Sequence, residues 1–175
     1  MTSGIGRNAH DPYLCTPMTS VTFEESWLSG PAGTKFYART YKADQPKALL
    51  IFVHGFAEHV GRYDHVHVKY PEKDITVFTY DARGFGKTAL DMANKSKDSS
   101  YGKTNWKTQF GDIEWAIEHA RKEVPGVPTF LMGHSMVSIR RVCVALPSAD
   151  VVRFVSSGRW QRPRFRDEED PPSFP

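Results

Sequence analysis

Three stretches of this 175-residue chain bring together side chains that could do chemistry: Gly133-His134-Ser135-Met136, His54-Gly55-Phe56, and Asp81-Ala82-Arg83-Gly84-Phe85-Gly86-Lys87-Thr88. A Gly-x-Ser directly after an apolar run is the opening of a nucleophile elbow. Such a sharp strand-to-helix bend exposes the hydroxyl and turns the next main-chain N–H toward the same point. Gly133 provides the small residue required two positions before Ser135, whereas Val137, two after, is branched and departs from the pattern. An oxyanion needs two converging N–H donors. Met136 follows the serine, and Phe56, in a loop after an earlier apolar run, is the natural second donor. His54, Gly55 and His134 are the candidate pocket residues around them. A plain Gly-Ser turn is the competing reading of the four residues taken by themselves.

Two other chemistries fit less well. A phosphate loop needs Gly-x4-Gly-Lys-Ser/Thr, and counting back from Gly86 puts Asp81 where the first glycine belongs. A carboxylate there repels phosphate. The dinucleotide version lacks a following strand with an acidic end. His65-x-His67, with Asp64 or His59, has a metal-like spacing only on a strand, and the local pattern favours helix or loop. Asp81 and Arg83 read as loop braces, and Asp112 and Glu114 as solvent-facing helix residues.

The elements that must hold these residues can be read from periodicity. Ala48 to Val53, Ile75 to Tyr80 and Thr129 to Met132 are short continuous apolar runs, the pattern of strands buried on both faces. Ser20 to Leu28 and Lys35 to Tyr41 alternate around Gly30, Pro31 and Gly33, which predicts an antiparallel hairpin. Trp106, Phe110, Ile113, Ile117, Ala120 and Val124 form one stripe at a helical period. Thr104 or Asn105 can cap its start, and Pro125-Gly126 ends it. A weaker helix is expected over Arg62 to Tyr70. Strands alternating with helices predict an α/β fold with a mostly parallel sheet, and in such sheets ligand chemistry sits at the carboxyl ends of the strands.

Composition narrows the class. Apolar residues make up 39% and aromatics 13%, enough for a packed core. The formal net charge of +3 is too small to argue for nucleic-acid binding. No apolar run approaches the roughly 20 residues of a transmembrane helix. No basic-then-apolar leader opens the chain, and the two cysteines have no metal or redox spacing, so a cytoplasmic setting is expected.

The stretches 53–63 (VHGFAEHVGRY), 80–88 (YDARGFGKT), 99–117 (SSYGKTNWKTQFGDIEWAI) and 130–136 (FLMGHSM) resemble monoglyceride lipases, in the serine-aminopeptidase S33-like branch of the α/β-hydrolase fold. The resemblance covers roughly residues 20–136. It implies Ser135 as nucleophile, with Phe56 and Met136 as oxyanion donors. It also implies carboxylic esters such as monoacylglycerols as substrates, no cofactor, and room for peripheral membrane or lipid-droplet contact in the full-length family.

The family's triad runs Ser, then Asp/Glu, then His along the chain. The seven histidines here are 10, 54, 59, 65, 67, 119 and 134, so none follows Ser135. The motifs stop at Met136, and basic usage changes at the same point. Eleven Lys and five Arg precede residue 137; seven Arg and no Lys follow it. The expected organisation is a polar tail over 1–18, a truncated α/β-hydrolase core over 19–146 with its elbow after the fifth strand, and a divergent, disordered tail over 147–175. Truncation would leave the Thr129–Met132 strand at a sheet edge. Ile139 to Leu146 as a helix and Asp150 to Val155 as a strand could cover part of it. Val137-Ser138 can be encoded as GTGAGT or GTAAGT, so the segment from 137 onward is expected to be translated intron or an out-of-frame product. Sequencing the transcript across codons 136–138 checks this: a spliced message still reading Val-Ser-Ile-Arg-Arg rules intron retention out.

Overall fold

The computed structural model describes residues 22–135 and the backbone of 152–157. The 1–18 tail, the candidate helix at 139–146 and the chain beyond 157 lie outside the described residues. Six strands form one sheet: β1 (Glu24–Ser29), β2 (Lys35–Tyr41), β3 (Ala48–Val53), β4 (Ile75–Tyr80), β5 (Thr129–His134) and β6 (Val152–Ser157), in the spatial order β1-β2-β4-β3-β5-β6. The β1–β2 hairpin and the β2–β4 pair are antiparallel. The β4–β3, β3–β5 and β5–β6 pairs are parallel. This is the α/β architecture expected, with a mostly parallel sheet and an antiparallel hairpin at its start.

Residue alternation sorts the strand side chains into two cores. Leu49, Ile51 and Val53 of β3 join Phe36, Phe78, Tyr80 and Leu131 on the face covered by helix α3 (Trp106–Glu123). Leu50, Phe52, Val77 and Tyr41 pack on the opposite face, beneath Tyr63, Val68 and Tyr70. Burying each aliphatic side chain of this size contributes about 1.5–3 kcal/mol. β3 and β4 are buried on both faces, as their unbroken apolar runs predict. β5 differs: Thr129, Leu131 and Gly133 are buried, while Phe130, Met132 and His134 are half-buried. The cover on that side is centred on Phe52, whose ring lies 4.4 Å from Tyr63 and 4.7 Å from His67, and β5 stands at its margin.

Helix α3 starts where its sequence indicates. Asn105 accepts from the Thr108 amide at 3.0 Å, and Thr108 reaches back to Asn105, a reciprocal cap. Ile113, Ile117 and Ala120 are buried, whereas Trp106 is half exposed at the solvent end of the stripe. The buried face is also wider than the stripe, taking in Gln109, Asp112 and Ala116. The solvent-facing reading of Asp112 is therefore corrected. Its carboxylate is buried and accepts two bonds from Arg83, at 2.9 and 2.7 Å, which offset the cost of desolvating it. The helix expected over 62–70 is broken into a 3₁₀ turn, Val60–Tyr63, and a single α turn, α1 (Asp64–His67). Neither has a side-chain cap, and Asp64 is drawn off to Arg39 and Tyr41 on β2.

β5 does not stand at the sheet edge, because a strand from the later segment covers it, as the sequence reading allows for Asp150–Val155. That strand, β6, pairs with β5 from Thr129↔Val152 to His134↔Ser157. Its span overlaps the Asp150–Val155 strand read from sequence, displaced two residues onward, within the 147–175 stretch set apart as a tail. Val152, Phe154 and Val155 are strand formers, which accounts for the pairing.

His67 is buried between Tyr41, Phe52 and Tyr63, and its Nδ1 has no hydrogen-bond partner. The metal-ligand reading of His65-x-His67 thus meets a histidine packed in the second core. Burial holds its pKa down, to about 4 from an ordinary 6.5, against the opposing pull of Asp64. The unfolded chain binds a proton that the folded chain refuses, so this contribution is intact above pH 6.5 and is lost as pH falls toward 4. Chemical denaturation of the wild type and His67→Phe at pH 7 and pH 4 is expected to differ by about 3 kcal/mol in pH sensitivity, the variant being flatter.

Candidate active site

Parallel pairing brings the carboxyl ends of β3, β4 and β5 together, with Val53 opposite Gly133. The three candidate stretches therefore emerge at one end of the sheet. At the end of β5, Ser135 is exposed and takes the left-handed conformation, φ 56°. A residue with a Cβ gives up roughly 1–2 kcal/mol there, so the bend is held by its surroundings and not by local preference. Met136 lies outside the described residues.

The loop after β3 is fixed atom by atom. The Glu58 amide donates to the Gly55 carbonyl at 3.3 Å, closing a four-residue turn in which Ala57 takes φ 58°. His54 is buried, with both ring nitrogens committed to main chain. Nε2 accepts from the Ala82 amide at 2.9 Å, which leaves the proton on Nδ1 to be donated to the Gly55 carbonyl at 2.8 Å. Burial lowers the His54 pKa, and that favours the neutral ring this pattern requires. The Gly55 carbonyl and the Phe56 N–H share one flat peptide unit and point in opposite directions. Anchoring the carbonyl on the buried imidazole therefore aims the Phe56 N–H away from the core, and it makes no hydrogen bond to a described residue. The Phe56 ring is exposed and rests edge-on against Phe85, with centroids 5.1 Å apart.

The loop after β4 braces this arrangement. Asp81 is buried and accepts from the Val60 amide at 2.7 Å and the Lys87 amide at 2.6 Å, joining the two loops. Burial raises its pKa, while these two amides pull the other way. Gly86 has φ 50°, and a Cβ there would collide with the Asp81 carboxylate. The start of the short helix α2 (Gly86–Leu90) is thus occupied by a carboxylate, the obstacle to phosphate read from the sequence. Arg83 binds Asp112, Thr34 and the Pro31 carbonyl, so both loop braces read from the sequence are present.

Sequence reasoning missed Glu58 and Tyr63. Glu58 accepts from the Gly55 amide, the Tyr63 hydroxyl and His134. Its place three residues after a tight-turning glycine was the available signal, because that spacing lets a carboxylate fold back onto a turn amide. His134 is half-buried, facing this carboxylate. A groove of about 460 Å³ lies at the other end of the sheet, lined by Leu49, Thr76 and Pro125, remote from these loops. Among the described residues no cluster of three or more His, Cys, Asp or Glu could hold a metal ion, and no helix is long and apolar enough to cross a membrane.

Solved structures with this arrangement are α/β-hydrolases. A thermostable carboxyl esterase from Bacillus coagulans superimposes with a TM-score of 0.64 at 30% identity, over 77% of this chain and 43% of that one. A soluble variant of Saccharomyces cerevisiae monoglyceride lipase, bound to a substrate analogue, gives 0.66 at 22% identity over 83% and 46%. Residues 44–158 match the serine aminopeptidase S33 family, running past Met136, where the sequence motifs stop. The chain belongs to that family. Monoglyceride lipase of Mus musculus is 31% identical over 114 residues, 65% of this chain and 35% of its own length. Monoacylglycerol lipase of Mycolicibacterium smegmatis is 28% identical over 120 residues, 68% and 40%. The chain spans less than half the length of these relatives.

The bend at residue 135 can be tested directly. Ser135→Gly removes the left-handed strain that Ser135→Ala retains, so the glycine variant is expected to be more stable than the alanine variant by up to about 1 kcal/mol in urea titration.

Proposed function

We propose that the chain carries the acyl-binding end of a serine hydrolase for carboxylic esters of the monoacylglycerol class. Ser135 is the nucleophile, and the Phe56 and Met136 amides bind the carbonyl oxygen. Gly55 and His134 border the site, and His54 supports it from below. The observation that carries this reading is Ser135 at φ 56° on the end of a parallel strand, beside a loop that turns its Phe56 N–H outward. The serine oxygen would attack the ester carbon, the alkoxide would leave with a proton, and water would release the acyl group.

That sequence of steps needs a base to take the serine proton and return it to the leaving oxygen. These residues include no histidine after Ser135, and His134 is badly placed to serve its own neighbour. They therefore position an ester carbonyl without an activated nucleophile. Catalysis without the base is confined to what the oxyanion hole and binding supply, about 10³–10⁴-fold over water. The second reading, an inactive remnant that binds acyl groups at most, follows from the same missing imidazole.

Fluorophosphonate labelling of the 175-residue chain, with and without added imidazole, tests the assignment. Slow labelling confined to Ser135, absent in Ser135→Ala and accelerated by imidazole, is expected. Absence of label at Ser135 under both conditions contradicts the nucleophile, and ester turnover matching a complete lipase contradicts the missing base.

A further inference from the structure

The loop after β3 and the bend after β5 leave different strands, so the gap between them must be set by something that touches both. Among the described residues one side-chain hydrogen bond spans it: Glu58 Oε2 to His134 Nδ1, 3.1 Å, between residues 76 apart in sequence. The same oxygen accepts from the Gly55 amide at 2.8 Å and from the Tyr63 hydroxyl. Glu58 Oε1 faces Arg62 Nε at 3.4 Å. The carboxylate is 14% exposed, and three of these donors share its Oε2.

The contact is close enough to restrict what can stand there. A Cβ on Gly55 would lie 2.8 Å from Glu58 Oε2 and 3.0 Å from His134 Nδ1. Burial works to raise the Glu58 pKa, but the hydrogen bonds from Tyr63, Gly55 and His134 lower it below the ordinary carboxylate value. An ionised carboxylate only accepts, so the shared proton resides on His134 Nδ1 and the ring is oriented by Glu58.

We propose that Glu58 is the positioning residue that sets the spacing between the Phe56 amide and the Ser135 bend, holding Gly55 on one side and His134 on the other. The role rests on the serine-hydrolase reading above. Arg62 and Tyr63 hold Glu58 from the segment entering α1, so the carboxylate is itself fixed.

Amide spectra of the isotopically labelled 175-residue chain test it. Glu58→Gln replaces one accepting oxygen with a donor. Protection of the Gly55 amide from exchange is expected to fall by at least about tenfold, while β2 and β4 keep theirs. The Ser135 amide resonance, on the far strand, should move with it, which a purely local brace of the loop would not cause. His134→Gln should in return move the Gly55 and Phe56 amides. An unmoved Ser135 amide in the first variant, or unmoved Gly55 and Phe56 amides in the second, overturns the proposal. If Glu58→Gln does not fold, His134→Gln decides alone. Fluorophosphonate labelling of the wild type separates the two ideas. Coupled amides with an unlabelled Ser135 sink the hydrolase reading, and with it the catalytic purpose of the link. A labelled Ser135 with uncoupled amides keeps the hydrolase reading and discards the role of Glu58.

Discussion

A peptide unit is flat, so whatever grips its carbonyl also decides where its N–H points. In this protein the grip is a neutral, buried imidazole. His54 can hold the Gly55 carbonyl only while the Ala82 amide occupies its other nitrogen, because that contact fixes which nitrogen bears the proton. Two backbone groups from two loops are thereby tied to one ring. The rest of the site end follows from keeping those loops still: Asp81 ties the Val60 and Lys87 amides, and Gly86 leaves room for its carboxylate. The sheet contributes the common direction of β3, β4 and β5, without which the loops would not meet.

Much of this was legible because it depends on local pattern. Unbroken apolar runs marked β3 and β4, and a helical stripe with a cap marked α3, since burial on both faces or on one face leaves a direct trace in residue order. Gly-x-Ser after a strand marked the bend at Ser135. What stayed hidden depends on partners far away in the chain. Asp112 reads as a surface carboxylate until Arg83, from another loop, is seen against it. The hold that His54 has on two loops is invisible until the Ala82 amide is found against its ring. Glu58 carries no mark of its own, because its importance comes from His134 on a strand 76 residues away. The short turns at 60–67 show the reverse effect, where side-chain bonds to the sheet outweighed a modest helical tendency.

A serine hydrolase combines two properties that are usually observed together. Positioning a carbonyl is a matter of main-chain amides and packing, and on the proposed reading one of those amides, that of Phe56, is aimed by His54. Activating the hydroxyl requires a proton acceptor, and no histidine follows Ser135 in the sequence. The strain at Ser135 therefore speaks to where the hydroxyl stands and not to how readily it gives up its proton.

The Arg83 guanidinium joins the Pro31 carbonyl and Thr34, at the turn of the first hairpin, to Asp112 in the middle of α3. Its own backbone belongs to the stretch between Asp81 and Gly86. The outermost hairpin, which an engineer might trim as a dispensable margin, is thus moored to the stretch that cradles His54. Shortening or re-looping residues 30–34 would be transmitted inward as a displacement of Ala82.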